Sequence, residues 1–263
     1  MTKLHAHIKG ISIIGPGLND WSETQRIFSG QETWQGAPTI IAPPEIVSPR
    51  ERRRTSPAMR LALNTALAAC EHANADPKNT VSVFSSAIGS GSVTERIFTA
   101  LDTDLKQVSP TDFHNSVHNA AAGYWSIGTQ SHTASTSISA GDFGFGVGLI
   151  HALMQVALQK HDVLLVCFEH PFSGPLHAAR PLGDAMGIGL VLSTSGLGPH
   201  ITASFDQGDQ QLTRPNHLEL ADKCELNPPA RSLALLEHLA LKKTGTVYIP
   251  HSFDRMLKVE VMP

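Results

Sequence analysis

Hydroxyl, imidazole and carboxylate side chains gather in one stretch of this sequence. His114, His118 and His132 precede Ser139, and Asp142 follows. Together they are the parts of an acid–base pair or of a Ser/His/Asp set, the chemistry of hydrolysis or decarboxylation, with Ser139, His132 and Asp142 as the sharpest candidates. Thr133, Thr136 and Ile138 favour a strand over 134–139, Ala140-Gly141-Asp142 reads as a tight turn, and FGFGVGLIHALMQVAL reads as a buried helix. A strand feeding directly into a helix sets its turn residue at the helix N-terminus, where unpaired N–H groups and the helix dipole concentrate. That is the geometry of a nucleophile elbow, which calls for Ser or Cys. Here the position holds Asp142, read as an N-cap that accepts backbone N–H bonds.

The other titratable groups are less telling. The chain has fourteen histidines, so chance clustering is easy, and none stands in a spacing such as HExxH. Cys70, Cys167 and Cys224 are too far apart for a zinc site and odd in number for a disulfide framework. Cys167 lies inside an apolar strand, where a thiol is inert. No metal and no cofactor are expected.

The elements that must position this stretch are legible on both sides of it. A strand over 8–14 ends at Gly15-Pro16-Gly17, and Asn19 or Asp20 caps a short helix stopped by Gly30. A Pro-rich loop over 31–56 carries Arg50, Arg52, Arg53 and Arg54, which could meet an anionic partner such as a phosphopantetheine carrier. Ser56-Pro57 starts a helix whose Leu61, Ala62, Thr65, Ala66, Ala69 and Cys70 form one stripe. A buried strand over 80–85 leads through a Gly/Ser turn, a weak phosphate-cradle candidate, into a helix over 93–105. A single helix is read through FHNSVHNAAAGYWSIG. Beyond the elbow, VLLVCFE is a strand buried on both faces, and the glycines of AMGIGLVLST imply close backbone approach. A strand (HITASF), an irregular stretch over 207–227, a helix over 228–243 and two short strands complete an α/β layered chain.

With 263 residues, 41% of them hydrophobic and 16% charged, and a formal charge of −3, the chain can bury a large core and shows no basic excess for nucleic acid. No run of eighteen apolar residues and no N-terminal apolar segment is present, so the expectation is a cytoplasmic protein.

Seven segments in order carry a family resemblance: IKGISIIGPG, FSGQ, AIGSGSV, NSVHNAAAGYWSI, STSISAGD, HDVLLVCFEH and GDAMGIGLVL. The chain resembles the N-terminal half of beta-ketoacyl-ACP synthases. The resemblance implies a thiolase-like α/β fold, a mixed sheet covered by helices, over residues 1–263. The second half of that fold would be reduced to a remnant at about 228–263. Synthases of this family use a cysteine at the elbow, and the alignment puts Asp142 there; a carboxylate cannot hold an acyl chain as a thioester. The family's catalytic histidines and lysine belong to the missing half, and no His-Gly-Thr-Gly-Thr segment occurs. The chain is therefore most similar to chain-length-factor subunits, in their short form from aryl polyene pathways. This implies a subunit without independent activity that pairs with an active beta-ketoacyl-ACP synthase and shapes its acyl tunnel, with acyl carrier protein as a further partner.

In the thiolase fold the strand before the elbow pairs across the dimer axis, so Thr136, Ser137 and Ile138 are expected at an interface. Ala120, Ala121, Ala122 and Gly123 are small enough for close approach, and Tyr124 and Trp125 are anchor types. Val117, Ala121 and Tyr124 share one helical face as tunnel-lining candidates. Two other readings stay open: an enzyme built on Ser139, His132 and Asp142, and a homodimeric acyl-binding module.

Overall fold

In a computed structural model, which describes residues 3–159, 161–206, 208 and 210–263, one eight-stranded mixed sheet runs through the molecule. The elements in chain order are β1 (Leu4–Ile14), α1 (Trp21–Phe28), α2 (Pro49–Arg52), α3 (Pro57–Ala73), β2 (Val81–Ser85), α4 (Gly91–Leu101), α5 (Pro110–Asn115) and α6 (Ala120–Thr129). After them come β3 (Ser135–Ile138), α7 (Gly144–Gln159), β4 (Val163–Glu169), α8 (Gly174–Ala179), β5 (Met186–Ser193), β6 (His200–Asp206), α9 (Leu218–Lys223), α10 (Leu233–Ala240), β7 (Gly245–Ser252) and β8 (Arg255–Met262).

The strand order is β3-β2-β4-β5-β1-β6-β8-β7. β2 runs parallel to both β3 and β4, and the remaining neighbours are antiparallel. Strand alternation divides the core in two. Leu164, Val166 and Phe168 of β4 point to the face covered by α3 and α6, while Val163, Leu165 and Cys167 point to the face covered by α7 and α10. Each fully buried Leu or Val in these rows contributes about 1.5–3 kcal/mol of apolar burial. Glu169 continues the odd-numbered row, and so faces the elbow side.

Local chemistry explains the boundaries. Ser56 Oγ accepts the Met59 N–H with Pro57 in the first turn, and Asn74 ends α3 in the left-handed region. The stripe expected on this helix is buried throughout. A Cβ at Gly187 would meet Thr65 Oγ1, and one at Gly189 would meet the Ala69 Cβ and the Thr65 carbonyl, so α3 lies almost on the backbone of β5.

Several expected boundaries are corrected. The helix read through 113–128 is broken. α5 ends at Asn115, and 116–119 is irregular: Ser116 Oγ bonds back to the Phe113 carbonyl at the end of α5, and His118 Nε2 reaches the Ser86 carbonyl. α4 stops at Leu101 rather than 105, and Lys106 turns the chain with φ +47. The helix expected from 228 begins as a 3₁₀ turn, Pro228–Ser232, because Pro228 and Pro229 remove N–H donors. Of the irregular stretch over 207–227, Gln207 and Asp209 lie outside the described residues, and Leu218–Lys223 is helical. The arginine segment contains α2, capped by Ser48. Residues 228–263 join the same sheet through β8 and β7.

Candidate functional site

The elbow forms where the ends of β2, β3 and β4 meet the start of α7. Gly141 has φ +54, a conformation glycine adopts without strain, and Gly141–Phe143 is a 3₁₀ turn that runs straight into α7. Asp142 does not cap the helix. It lies inside the opening turn rather than before it, makes no capping bond among the described residues, and accepts Arg180 Nη2 at 2.7 Å. Its side chain is 61% exposed, so the pair sits at the rim of the site.

The floor of the site is polar and closed. Ser85 Oγ donates to the Gly144 carbonyl at 2.8 Å and ties β2 to the start of α7. Cys167 stands beside it, fully buried; burial, followed by the charge of Glu169, pushes its thiol well above the ordinary value. Glu169 is 1% exposed and accepts the Ala87 N–H through Oε1. Burial pushes its carboxyl up to about 7; the Ala87 N–H, the Arg180 charge and the Ser86 hydroxyl pull against that, and Asp142 adds to it. Among the described residues, Glu169 Oε2 and Arg180 Nε are both buried without a partner.

Glu169 and Arg180 were not singled out by sequence reasoning. One signal was available: a carboxylate ends a strand that is otherwise apolar and buried on both faces.

The turn after β2 cannot serve as a phosphate cradle. Its Ala87 N–H is taken by Glu169 and its Gly89 N–H by Ser86 Oγ at 2.9 Å, so neither is free for an anion. Ser139 Oγ donates to the Ala87 carbonyl at 2.7 Å. His132 and Ser139 lie beyond opposite ends of the four-residue β3, which alone spans about 13 Å, so Ser139, His132 and Asp142 do not form a catalytic set. His118 Nε2 donates to the Ser86 carbonyl at 2.8 Å, and the His114 ring stands edge-on to Tyr124.

The interface and tunnel residues separate by exposure. Ala121, Ala122, Tyr124 and Trp125 are buried in the chain's own core against α3 and the sheet. In the isolated chain they therefore present almost no surface. Helical periodicity marks one apolar face but does not say what that face covers. α6 instead presents Gly123 and Ile127, the latter 60% exposed, with Ala120 half-buried. Val117 is exposed, as is Phe113 near it. β3 is an edge strand, paired among the described residues with β2 alone, and its Thr136, Ser137 and Ile138 are half-buried. On the other side of that edge, Val147, Ile150, Met154 and Leu158 of α7 make a stripe at helical spacing; Leu158 is 77% exposed. α7 carries no charged residue, and its extension Gly141–Gln159 is apolar and long enough to cross a membrane, yet much of it is packed inside the fold.

Arg50, Arg53 and Arg54 are exposed, whereas Arg52 is half-buried and donates to the Val47 carbonyl. Arg54 pairs with Glu51 at 3.4 Å. Among the described residues no group of three His, Cys, Asp or Glu side chains is placed to hold a metal ion.

Solved structures share this fold along nearly the whole chain. One is a ketosynthase (ApeO) in complex with its chain length factor (ApeC) from Xenorhabdus doucetiae, with 20% identity, TM-score 0.71, and coverage of 98% of this chain and 99% of that one. The ishigamide ketosynthase/chain length factor gives 13% identity and TM-score 0.70 over 98% and 99% of the two chains. AntDE:AntF, a type II acyl-carrier protein in complex with its ketosynthase bound to the hexaketide, gives 13% identity and TM-score 0.70 over 99% of each. Among curated proteins nothing matches the sequence. The family model for the beta-ketoacyl synthase N-terminal domain matches residues 19–249, and with its thiolase-like sheet the chain belongs to that family.

Proposed function

We propose that this chain is a non-condensing, chain-length-factor-like subunit that pairs with an active beta-ketoacyl-ACP synthase. The observation that carries this reading is the free edge of β3, flanked by exposed apolar residues on both sides: Ile127 of α6 on one, Met154 and Leu158 of α7 on the other. An open strand edge between two apolar helix faces invites a second chain. The solved complexes described above pair a ketosynthase with a chain length factor, which supports a partner of that kind.

Asp142, held by Arg180 where the family places its nucleophile, argues against condensation by this chain itself. In this reading Val117, together with Phe113, reaches the partner and sets tunnel length for a polyene or fatty-acyl-type product. Arg50 and Arg53 are the free cations for an acyl carrier protein, since among the described residues they pair with no carboxylate.

The test is co-expression with a full-length synthase bearing a Cys-His-His set, capture through a tag on this chain, and the mass of the eluted complex. A one-to-one complex is expected, lost in Ile127→Asp and Met154→Lys while the circular dichroism of the isolated chain stays unchanged. A soluble chain that elutes alone, or as a homodimer indifferent to the synthase, overturns the proposal.

A further inference from the structure

Arg180 closes α8 between two carboxylates. Asp142, exposed on the turn after β3, holds its Nη2 at 2.7 Å. Glu169, buried at the end of β4, presents a free Oε2 to the same neighbourhood, and Arg180 keeps its Nε buried and free. A buried donor and a buried acceptor without partners are costly to leave unpaired. The charge of Arg180 is felt at Glu169, and so is that of Asp142, with opposite effect. The guanidinium is thus bonded to Asp142 through Nη2, while its Nε and the Glu169 Oε2 are left without partners.

We propose that Arg180 passes from Asp142 to Glu169 when Glu169 loses its proton, and that the exchange releases the elbow turn Gly141–Phe143. With Glu169 neutral, Asp142 keeps the guanidinium, the pairing seen in this structure. Once Glu169 ionises, a charge nearly without solvent outcompetes an exposed one, because attraction at low dielectric is stronger. The ordinary value of 4.5 for a Glu carboxyl is raised here to about 7, so the exchange falls close to neutrality.

The other groups around Glu169 leave the exchange to these three side chains. The Cys167 thiol on β4 stays protonated. His118, ahead of α6, is occupied by the Ser86 carbonyl, and His170, next along the chain, by the Pro171 carbonyl at 2.8 Å. Glu95 on α4 accepts from Ser173 at the start of α8, on the far side of the same segment. The Ser86 hydroxyl and the Ala87 N–H already stabilise the ionised form. The consequence reaches beyond the pair, since Glu169 holds Ala87, and the Ala87 carbonyl holds Ser139 just before the elbow.

The experiment follows the Arg180 Nε–H resonance of the intact chain by nitrogen-15 NMR between pH 5.5 and 8.5. Amide exchange over 139–143 is recorded at pH 6 and pH 8 and corrected for intrinsic rates. The wild type should show an Nε shift with a midpoint near 7 and faster corrected exchange at the elbow at pH 8. Glu169→Gln should abolish both changes. Asp142→Asn, an exposed substitution that tests the same point if Glu169→Gln fails to fold, should lower the midpoint. An Nε resonance indifferent to pH, or one that titrates identically in Asp142→Asn, overturns the proposal.

Discussion

The Tyr124 hydroxyl donates to Asn115 Oδ1 at 3.1 Å, and the Asn115 amide in turn donates to the Arg54 carbonyl at 2.7 Å. Both residues are almost wholly buried, so this chain of bonds fastens α6 to the end of α5 and both to the arginine segment. Tyr124→Phe should cost about 1 kcal/mol, and Asn115→Ala, which strands two buried groups, about 1–3 kcal/mol. The double variant should cost less than the sum, because the two share a bond. Urea midpoints for the four proteins read the coupling directly.

Substitutions on the two faces of α6 should have opposite consequences. Ala121 is packed into the chain's own core, so Ala121→Trp should destabilise the isolated chain by 3 kcal/mol or more, beyond the roughly 1–3 kcal/mol of ordinary overpacking. Ile127→Asp removes nothing from the core and should leave the melting temperature within a degree or two while abolishing capture of the synthase. Thermal melting of each variant alone, beside a co-capture experiment, separates a folding defect from an interface defect.

The strand–turn–helix frame was legible because its signals are local: Gly141 for the turn, β-branched residues before it and an uncharged helix after it. The stripe of α3 was legible for the same reason, since 3.6-residue spacing marks a buried face. What covers that face is a property of distant chain, which is why Tyr124 and Trp125 looked like anchors for a partner and turned out to be core. Asp142 failed as a cap because its partner, Arg180, lies 38 residues away. Glu169 was hidden for the opposite reason: its importance lies in an environment assembled by β2, β4 and the elbow, which no spacing within VLLVCFE encodes.

Close approach of backbones makes a sharp contrast between two glycines. A Cβ on Gly146 would fall on the Pro250 carbonyl oxygen, so α7 and β7 touch there, whereas one on Gly123 meets nothing within 4 Å. Gly146→Ala should destabilise by about 1–3 kcal/mol. Gly123→Ala should stabilise the isolated chain by about 0.5–1 kcal/mol through the lower entropy of its unfolded state. Denaturant midpoints decide both, and a stabilised Gly146→Ala would contradict the contact.

All three thiols are buried, with Cys70 and Cys224 pushed up to about 12 chiefly by loss of solvent and Cys167 pushed up by the same cause. A thiol kept protonated and enclosed does not react. Iodoacetamide at pH 8 should label none of them in the native chain and all three in guanidinium, as read by intact mass. Native labelling of Cys167 alone would reopen it as a nucleophile beside the elbow.

Stability should carry the signature of Glu169 at neutral pH. Its carboxyl titrates near 7 in the folded chain against 4.5 as the ordinary value, so between those values the folded state holds a proton that the unfolded state has released. Protonation of this group therefore favours the fold fully below about pH 4.5, and the contribution is lost as pH rises through about 7. The loss amounts to about 3 kcal/mol. Glu169→Gln removes the titration while keeping an acceptor for the Ala87 N–H, so the variant should be relatively more stable than the wild type at pH 8 than at pH 5. Urea titrations of both proteins at these two pH values give the difference, with the other carboxylates cancelling in the comparison. A wild type and variant that lose stability in parallel over this window would show that burial does not raise the Glu169 carboxyl in the fold.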